Sequence, residues 1–210
     1  MDKVNMKIKN YIEKEILPKY KKLKGHTPEH IEEVILNSLG FAKQAPELNF
    51  DMVYVIAAYH DLGRLVDNET HNIESAKMLR ADEFLKSHFT DTEIETMAEA
   101  VEDHRASLGR EPRSIYGKLV SSADRYMDIN TMLDRCYSYT KSLYPEISED
   151  EVIERARTAL RKKFSPNGYA AKTMYFDCPD FLKTLVKVEQ VTRTPEKFNQ
   201  TIKEFIQKSF

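Results

Sequence analysis

The chain has 210 residues, enough for one domain or for one domain with an appendage. Its 32 Lys and Arg and 34 Asp and Glu side chains give a net charge of -2, which disfavours nucleic acid or an anionic membrane as the main partner. No apolar run approaches the roughly 18 residues of a membrane-spanning helix, and the charged N-terminus lacks the apolar region of a secretory signal. Two cysteines without metal-type spacing favour a reduced, cytoplasmic setting.

Apolar residues at helical spacing, few glycines and no alternating β-branched runs predict an all-α fold. A first helix is expected to end at Pro18, and a second to begin at Thr27, a favourable N-cap followed by proline and an acidic residue. The stretch from Met52 to Val66 then predicts a helix that is buried on nearly all sides and ends at Gly63.

Helical patterns continue to the end of the chain. Thr90 and Glu93 form a capping-box pattern that opens one helix, and residues 115–129 predict another. We therefore expect a helical bundle over residues 1–130 and a helical C-terminal extension, residues 131–210, packed on it. An independent C-terminal subdomain is the alternative.

Several histidines and acidic residues adjoin the predicted core. At the end of a buried helix, a carboxylate such as that of Asp61 is costly without a partner, and the helix dipole favours a nearby cation. One histidine on an apolar face is more often an ordinary core residue, but six potential ligands converge here. Imidazole and carboxylate without thiolate suit iron, manganese, zinc or magnesium. The six residues are His30, His60, Asp61, His71, His104 and Asp124.

Three segments resemble the motifs of the HD-domain metal-dependent phosphohydrolases, an all-helical family with ligands in the order His, His-Asp, Asp. GHTPEHIEEV is similar to the first motif and gives His30 as the ligand, with His26 as a nearby polar residue. AAYHDLGR resembles the signature motif and gives His60 and Asp61. SSADRYMD resembles the last motif and gives Asp124. The resemblance implies an HD-type helical bundle.

The resemblance covers residues 20–130 and extends to a subset of the family with two further histidines. THNIESAKML and EDHRAS are similar to the motifs that supply them, here His71 and His104. This implies two divalent ions, of iron, manganese, zinc, magnesium or nickel, with Asp61 bridging them. If His71 only caps its helix, the site is mononuclear.

The resemblance implies hydrolysis of a nucleotide or another small phosphate ester by a metal-activated hydroxide. Asp61 and Arg64 would then be catalytic, and Arg64, Lys118 and Arg125 are candidates for binding the substrate phosphate. The alternatives are a di-iron oxygenase with the same six ligands and a non-catalytic nucleotide-binding module, although an intact ligand set argues against the latter. The sequence does not indicate an oligomeric state.

Four loop residues are weaker candidates for a role at the site. Arg110 and Arg113 follow His104 and reach over the pocket in one interpretation, while a solvated surface position is favoured for both. Asp67 or Glu69 is a candidate general acid, with a solvated loop carboxylate as an equal alternative.

Overall fold

The computed structural model describes residues 4–23 and 28–209, with side chains up to residue 205. Every regular element in these ranges is helical and none is a strand, which confirms the all-α prediction. The expected N-cap Thr27 and the neighbouring His26 lie outside the described residues. No described helix has both the length and the apolar character needed to cross a bilayer.

The chain divides into two compact units. The first comprises Met1–Tyr126 and Met174–Asp177, and the second comprises Met127–Thr173 and Cys178–Phe210. The expected packing of a C-terminal extension on the first domain, with a boundary at residue 130, stays a prediction. Within the first unit the α-helices are α1 (Met6–Tyr11), α2 (Pro28–Ala42), α3 (Phe50–Tyr59), α4 (His71–Ala81), α5 (Glu83–Lys86), α6 (Asp91–Glu102) and α7 (Ile115–Arg125).

The first helix does not end at Pro18. α1 ends at Tyr11, and the helical backbone continues as a π-helix over Ile12–Ile16 and a 3₁₀ helix over Leu17–Lys22. Pro18 lies in the first turn of this 3₁₀ helix, where a missing backbone N–H removes no hydrogen bond. The proline therefore begins a helical segment instead of ending one.

The helix α3 is the buried element that the sequence predicts. It begins after Asn49, whose side-chain oxygen accepts hydrogen bonds from the backbone N–H groups of Asp51 and Met52. Each residue from Met52 to Tyr59 is buried, and the helix packs against α2, α6 and α7. The residues that follow Tyr59 therefore enter the interior of the first unit.

Gly63 has a different role from the expected one. α3 already ends at Tyr59, and Gly63 lies inside a 3₁₀ helix over Leu62–Leu65. A Cβ atom on Gly63 would collide with the His71 carbonyl oxygen and lie 2.5 Å from the Ser75 backbone nitrogen. Its own N–H donates to Ser75 Oγ at 2.7 Å. Glycine is required here because the first turn of α4 lies directly against the segment after α3.

The segment 174–177 belongs to the first unit although it lies late in the sequence. The Phe176 ring stacks on Phe41 with 5.7 Å between centroids. The side chain of Gln44 exchanges two hydrogen bonds with the backbone of Asp177. This return of the chain covers part of α2.

The second unit is also helical and is built around one central helix. Its elements are α8 (Ile129–Leu143), α9 (Glu149–Phe164), α10 (Tyr169–Lys172), α11 (Pro179–Thr192) and α12 (Pro195–Ser209). α9 opens with a capping box between Ser148 and Glu151 and packs against each of the other helices of this unit. Its buried face includes Val152, Ala156 and Leu160.

Candidate metal centre

Five segments of the first unit bring the six predicted ligands together. His30 lies on α2, His60 and Asp61 directly follow α3, and Asp124 lies near the end of α7. The remaining two, His71 and His104, are the first residue of α4 and a residue just beyond the end of α6. The six side chains form two groups, each able to hold a metal ion, and Asp61 is common to both.

The first group consists of His30, His60, Asp61 and Asp124. His30 Nε2 lies 3.3 Å from Asp124 Oδ1. His60 Nε2 lies 3.4 Å from Asp61 Oδ2 and 3.7 Å from Asp124 Oδ1. All four ligand atoms lie within 4.8 Å of one another, so an ion between them would contact two imidazoles and two carboxylates.

The second group consists of Asp61, His71 and His104, all of them buried. Asp61 Oδ1 lies 3.2 Å from His71 Nε2 and 3.6 Å from His104 Nε2. The two carboxylate oxygens of Asp61 are thus divided, since Oδ2 faces His60 and Oδ1 faces the other two histidines. A carboxylate in this position can bridge two ions.

Three of the histidines are held in the tautomer that binds metal through Nε2. The Nδ1 atom of each lies 2.7–2.8 Å from a backbone carbonyl oxygen three residues earlier in the chain. A carbonyl oxygen only accepts hydrogen bonds, so Nδ1 carries the proton and Nε2 presents a lone pair. The pairs are His60 with Ala57, His71 with Asn68, and His104 with Val101. Metal-binding histidines typically have this support.

The buried Nε2 atoms indicate that the residues present fit a metal. His60 Nε2 makes no hydrogen bond of good geometry to any described residue. His71 Nε2 and His104 Nε2 lie 3.3 Å apart. With Nδ1 protonated on both rings, two lone pairs face each other in the interior, which is unfavourable without a cation between them. A divalent ion satisfies all three atoms.

The pKa shifts at the centre favour an ionised Asp124 and a neutral His71. Burial and the neighbouring His104 lower the pKa of His71 to about 4. Burial alone would raise the pKa of Asp124, but the hydrogen bond from His30 and the charge of His60 hold it well below its usual range. Burial likewise opposes protonation of His60, yet the two carboxylates beside it raise its pKa. Negative carboxylates with a neutral imidazole are the ligand states that a metal requires.

Arg64 lies against the second group. Its Nε donates to Asp61 Oδ1 at 2.8 Å, and its Nη2 lies 3.3 Å from His71 Nε2. Its Nη1 donates to Asn68 Oδ1 at 3.3 Å. One fifth of the side chain is exposed, so the guanidinium group lies at the border between the centre and solvent. The structure places Arg64 beside the ligands, and its catalytic role stays a prediction.

The two other candidate phosphate ligands lie in different surroundings. Lys118 pairs with Glu111 at 3.0 Å, and its Nζ lies 5.5 Å from the centre of the Tyr175 ring. Arg125 is among the largest fully buried side chains, with 2% of its surface exposed. A substrate role for either residue stays a prediction.

Arg110 and Arg113 are both exposed, as the sequence favoured, but they are not simply solvated. Both bind the buried carboxylate of Asp103, with Arg110 Nη2 at 2.6 Å and Arg113 Nη2 at 3.0 Å from Oδ1. Burial raises the pKa of Asp103, but these hydrogen bonds outweigh it and hold the pKa below its usual range. Asp103 directly precedes His104, so the cluster fixes the backbone that carries this ligand. In the sequence, this cluster is indicated by an acidic residue directly before His104 and by two arginines in the loop that follows.

The loop between Arg64 and α4 supports the centre in ways that the sequence did not show. Asp67 accepts hydrogen bonds from the Thr70 hydroxyl and backbone N–H, and these lower the pKa of its carboxyl group. An acid that stays ionised is a poor general acid. The Glu69 carbonyl oxygen accepts a hydrogen bond from Arg105 Nη1 at 2.6 Å. Arg105 thereby links the segments that carry His71 and His104.

An all-helical domain that gathers histidines and carboxylates around one shared aspartate is typical of metal-dependent hydrolases. Residues 27–127 match the family model of the HD domain, and this part of the chain is an HD domain. The HD domain defines a superfamily of metal-dependent hydrolases that bind divalent metals. The resemblance found in the sequence is therefore confirmed. Comparisons with curated proteins and with solved structures gave no significant match.

Proposed function

We propose that the protein is a metal-dependent phosphohydrolase acting on a nucleotide or another small phosphate ester in the cytoplasm. The observation that carries this proposal is the position of Asp61, whose two oxygens face two different sets of histidines. A shared carboxylate of this kind suits a pair of ions, and two-metal sites are common in phosphoryl chemistry.

The proposed ligand sets follow from the two groups. His30, His60 and Asp124 would hold one ion, His71 and His104 the other, and Asp61 both. Divalent ions bound there supply Lewis-acid stabilisation of a phosphoryl group and lower the pKa of water.

Backbone carbonyl groups orient these ligands, and Arg64 would bind the substrate. The backbone carbonyl oxygens of Ala57, Asn68 and Val101 fix three imidazole rings, so little reorganisation is needed when an ion binds. Arg64 supports the assignment to phosphate esters because a planar guanidinium group presents parallel N–H donors to phosphate oxygens.

The composition of the chain supports a small substrate over a polyanion. A net charge of -2 offers no extended positive field for a polyanion, whereas a small phosphate ester needs only local cations. Arg64, beside the second group, is a suitable cation of this kind. A nucleotide is the favoured substrate within the proposal.

The test is a screen of metal-stripped protein over nucleotides and other phosphate esters, with manganese, iron, magnesium, zinc and nickel added in turn. We expect metal-dependent release of phosphate or nucleoside, which Asp61→Asn abolishes. Asp67→Asn is the matched control, since Asp67 is a loop acid outside both ligand groups, and it should retain most activity.

Failure to release product from any ester with any of these metals would contradict the proposal. Consumption of oxygen with an organic substrate would favour the di-iron oxygenase instead.

A further inference from the structure

The guanidinium group of Arg64 contacts two of the three residues that would hold the second ion. Nε donates to Asp61 Oδ1 at 2.8 Å, and Nη2 lies 3.3 Å from His71 Nε2. These are the same atoms that face His104 across the second group. Arg64 therefore places a positive charge on the ligand atoms of that group.

The contacts of Arg64 are confined to one side of Asp61. Arg64 Nε donates to Oδ1, whereas Oδ2 is the oxygen that lies closest to His60 Nε2. An ion in the first group can bind Oδ2 while the bond from Arg64 to Oδ1 remains. An ion in the second group needs His71 Nε2, whose single lone pair cannot also accept from Arg64 Nη2, and it competes with Arg64 Nε for Asp61 Oδ1.

We propose that Arg64 and the second ion exclude each other, so that the second ion binds only when Arg64 leaves Asp61 and His71. The released guanidinium group then becomes available to the phosphate of the substrate. This inference rests on the proposed function for the substrate, but the competition itself concerns metal binding alone. The first ion binds independently, and the second binds more weakly because it must displace a cation.

The position of Arg64 allows this exchange. The residue lies in the short 3₁₀ helix Leu62–Leu65, next to Leu65 and Val66, both of which are exposed. Its side chain already borders solvent, and its third contact is with the side chain of Asn68. Rotation of the side chain is therefore sufficient, and the buried helix α3 need not move.

The experiment is a titration of metal-stripped protein with manganese, in which free Mn²⁺ is followed by electron paramagnetic resonance. Arg64→Met removes the competing cation and keeps an unbranched side chain. We expect it to tighten the second binding step about tenfold, a usual size for coupling between sites, and to leave the first step unchanged within about twofold. Arg64→Gln serves as a second variant in case the first does not fold.

Arg105→Met is the matched control. It removes the same charge from the residue next to His104, but Arg105 binds the backbone carbonyl oxygen of Glu69 and not a ligand atom. Loosening the segments that it links can only weaken the second step, so Arg105→Met should not tighten it.

Three results would overturn the inference: an unchanged or weaker second step in Arg64→Met, an equal gain in Arg105→Met, or at most one bound ion in all variants. The proposed function is tested separately, by the release of product from phosphate esters. If Arg64→Met binds the second ion more tightly but the protein hydrolyses no phosphate ester, the competition is supported and the phosphohydrolase function is rejected.

Discussion

At the scale of single residues, the centre depends on which nitrogen of each histidine carries the proton. His60, His71 and His104 each donate Nδ1–H to the carbonyl oxygen three residues earlier. In His60 and His104 that carbonyl group belongs to the last turn of α3 and of α6, and in His71 to the loop before α4. The local backbone therefore selects the tautomer, and no other side chain is needed to orient these three rings.

The first prediction at this scale concerns His104→Ala. The substitution removes one of the two histidines that belong only to the second group, while His30, His60, Asp61 and Asp124 remain. We expect the variant to bind about one metal where the parent binds about two, with activity largely lost under a two-metal mechanism. Elemental analysis after equilibrium dialysis measures the ratio.

His88→Ala is the control for this change. His88 is exposed and hydrogen-bonds to Ser87 and to the Phe84 carbonyl group, outside both ligand groups. It should keep the parental stoichiometry. An equal metal content in His104→Ala and the parent would show that His104 is an ordinary core histidine.

At the scale of elements, the centre depends on how closely α4 approaches the segment after α3. Gly63 permits this approach because its missing side chain leaves space for the backbone of His71 and Ser75. The hydrogen bond from Gly63 N–H to Ser75 Oγ holds the two segments together. His71 begins α4, so its distance from Asp61 depends directly on this contact.

The prediction at this scale is that Gly63→Ala destabilises the fold and weakens the second metal site. A Cβ atom 2.5 Å from the Ser75 nitrogen forces the backbone of α4 to move, and overpacking of this kind typically costs about 1–3 kcal/mol. Urea denaturation of the metal-free protein gives the change in the free energy of unfolding. Metal content should fall toward one ion because His71 moves with α4.

Gly40→Ala is the corresponding control on α2, where a Cβ atom would meet nothing within 4 Å. Alanine in an exposed helical position should be neutral or stabilising by about 0.5–1 kcal/mol. Equal stability of Gly63→Ala and the parent would contradict the role given to this contact.

At the scale of the whole molecule, the sequence predicted most where the signal is local. The buried α3, the capping box of Thr90 and Glu93, and the all-helical class follow from spacing and composition, and each is present. The position of His60 and Asp61 at the end of α3 is local in the same sense. These features depend on residues within a few positions of one another.

Features that depend on the approach of distant segments were missed. Gly63 was interpreted as a helix end because glycine favours that position, whereas its function is to admit α4. The binding of Arg110 and Arg113 to Asp103 needs the path of a loop, and the return of Phe176 to Phe41 joins residues far apart in the chain. No periodicity or capping rule encodes these distances.

The central claim is that six side chains form one centre for two ions, bridged by Asp61. Anomalous scattering from a crystal of manganese-saturated protein tests it most directly. The account predicts two peaks about 3.5–4 Å apart, one beside Asp61 Oδ2 with His60 and one beside Oδ1 with His71 and His104, with Arg64 no longer bound to Oδ1. A single peak that contacts only His30, His60, Asp61 and Asp124, with Arg64 still on Asp61 in the saturated protein, would contradict it.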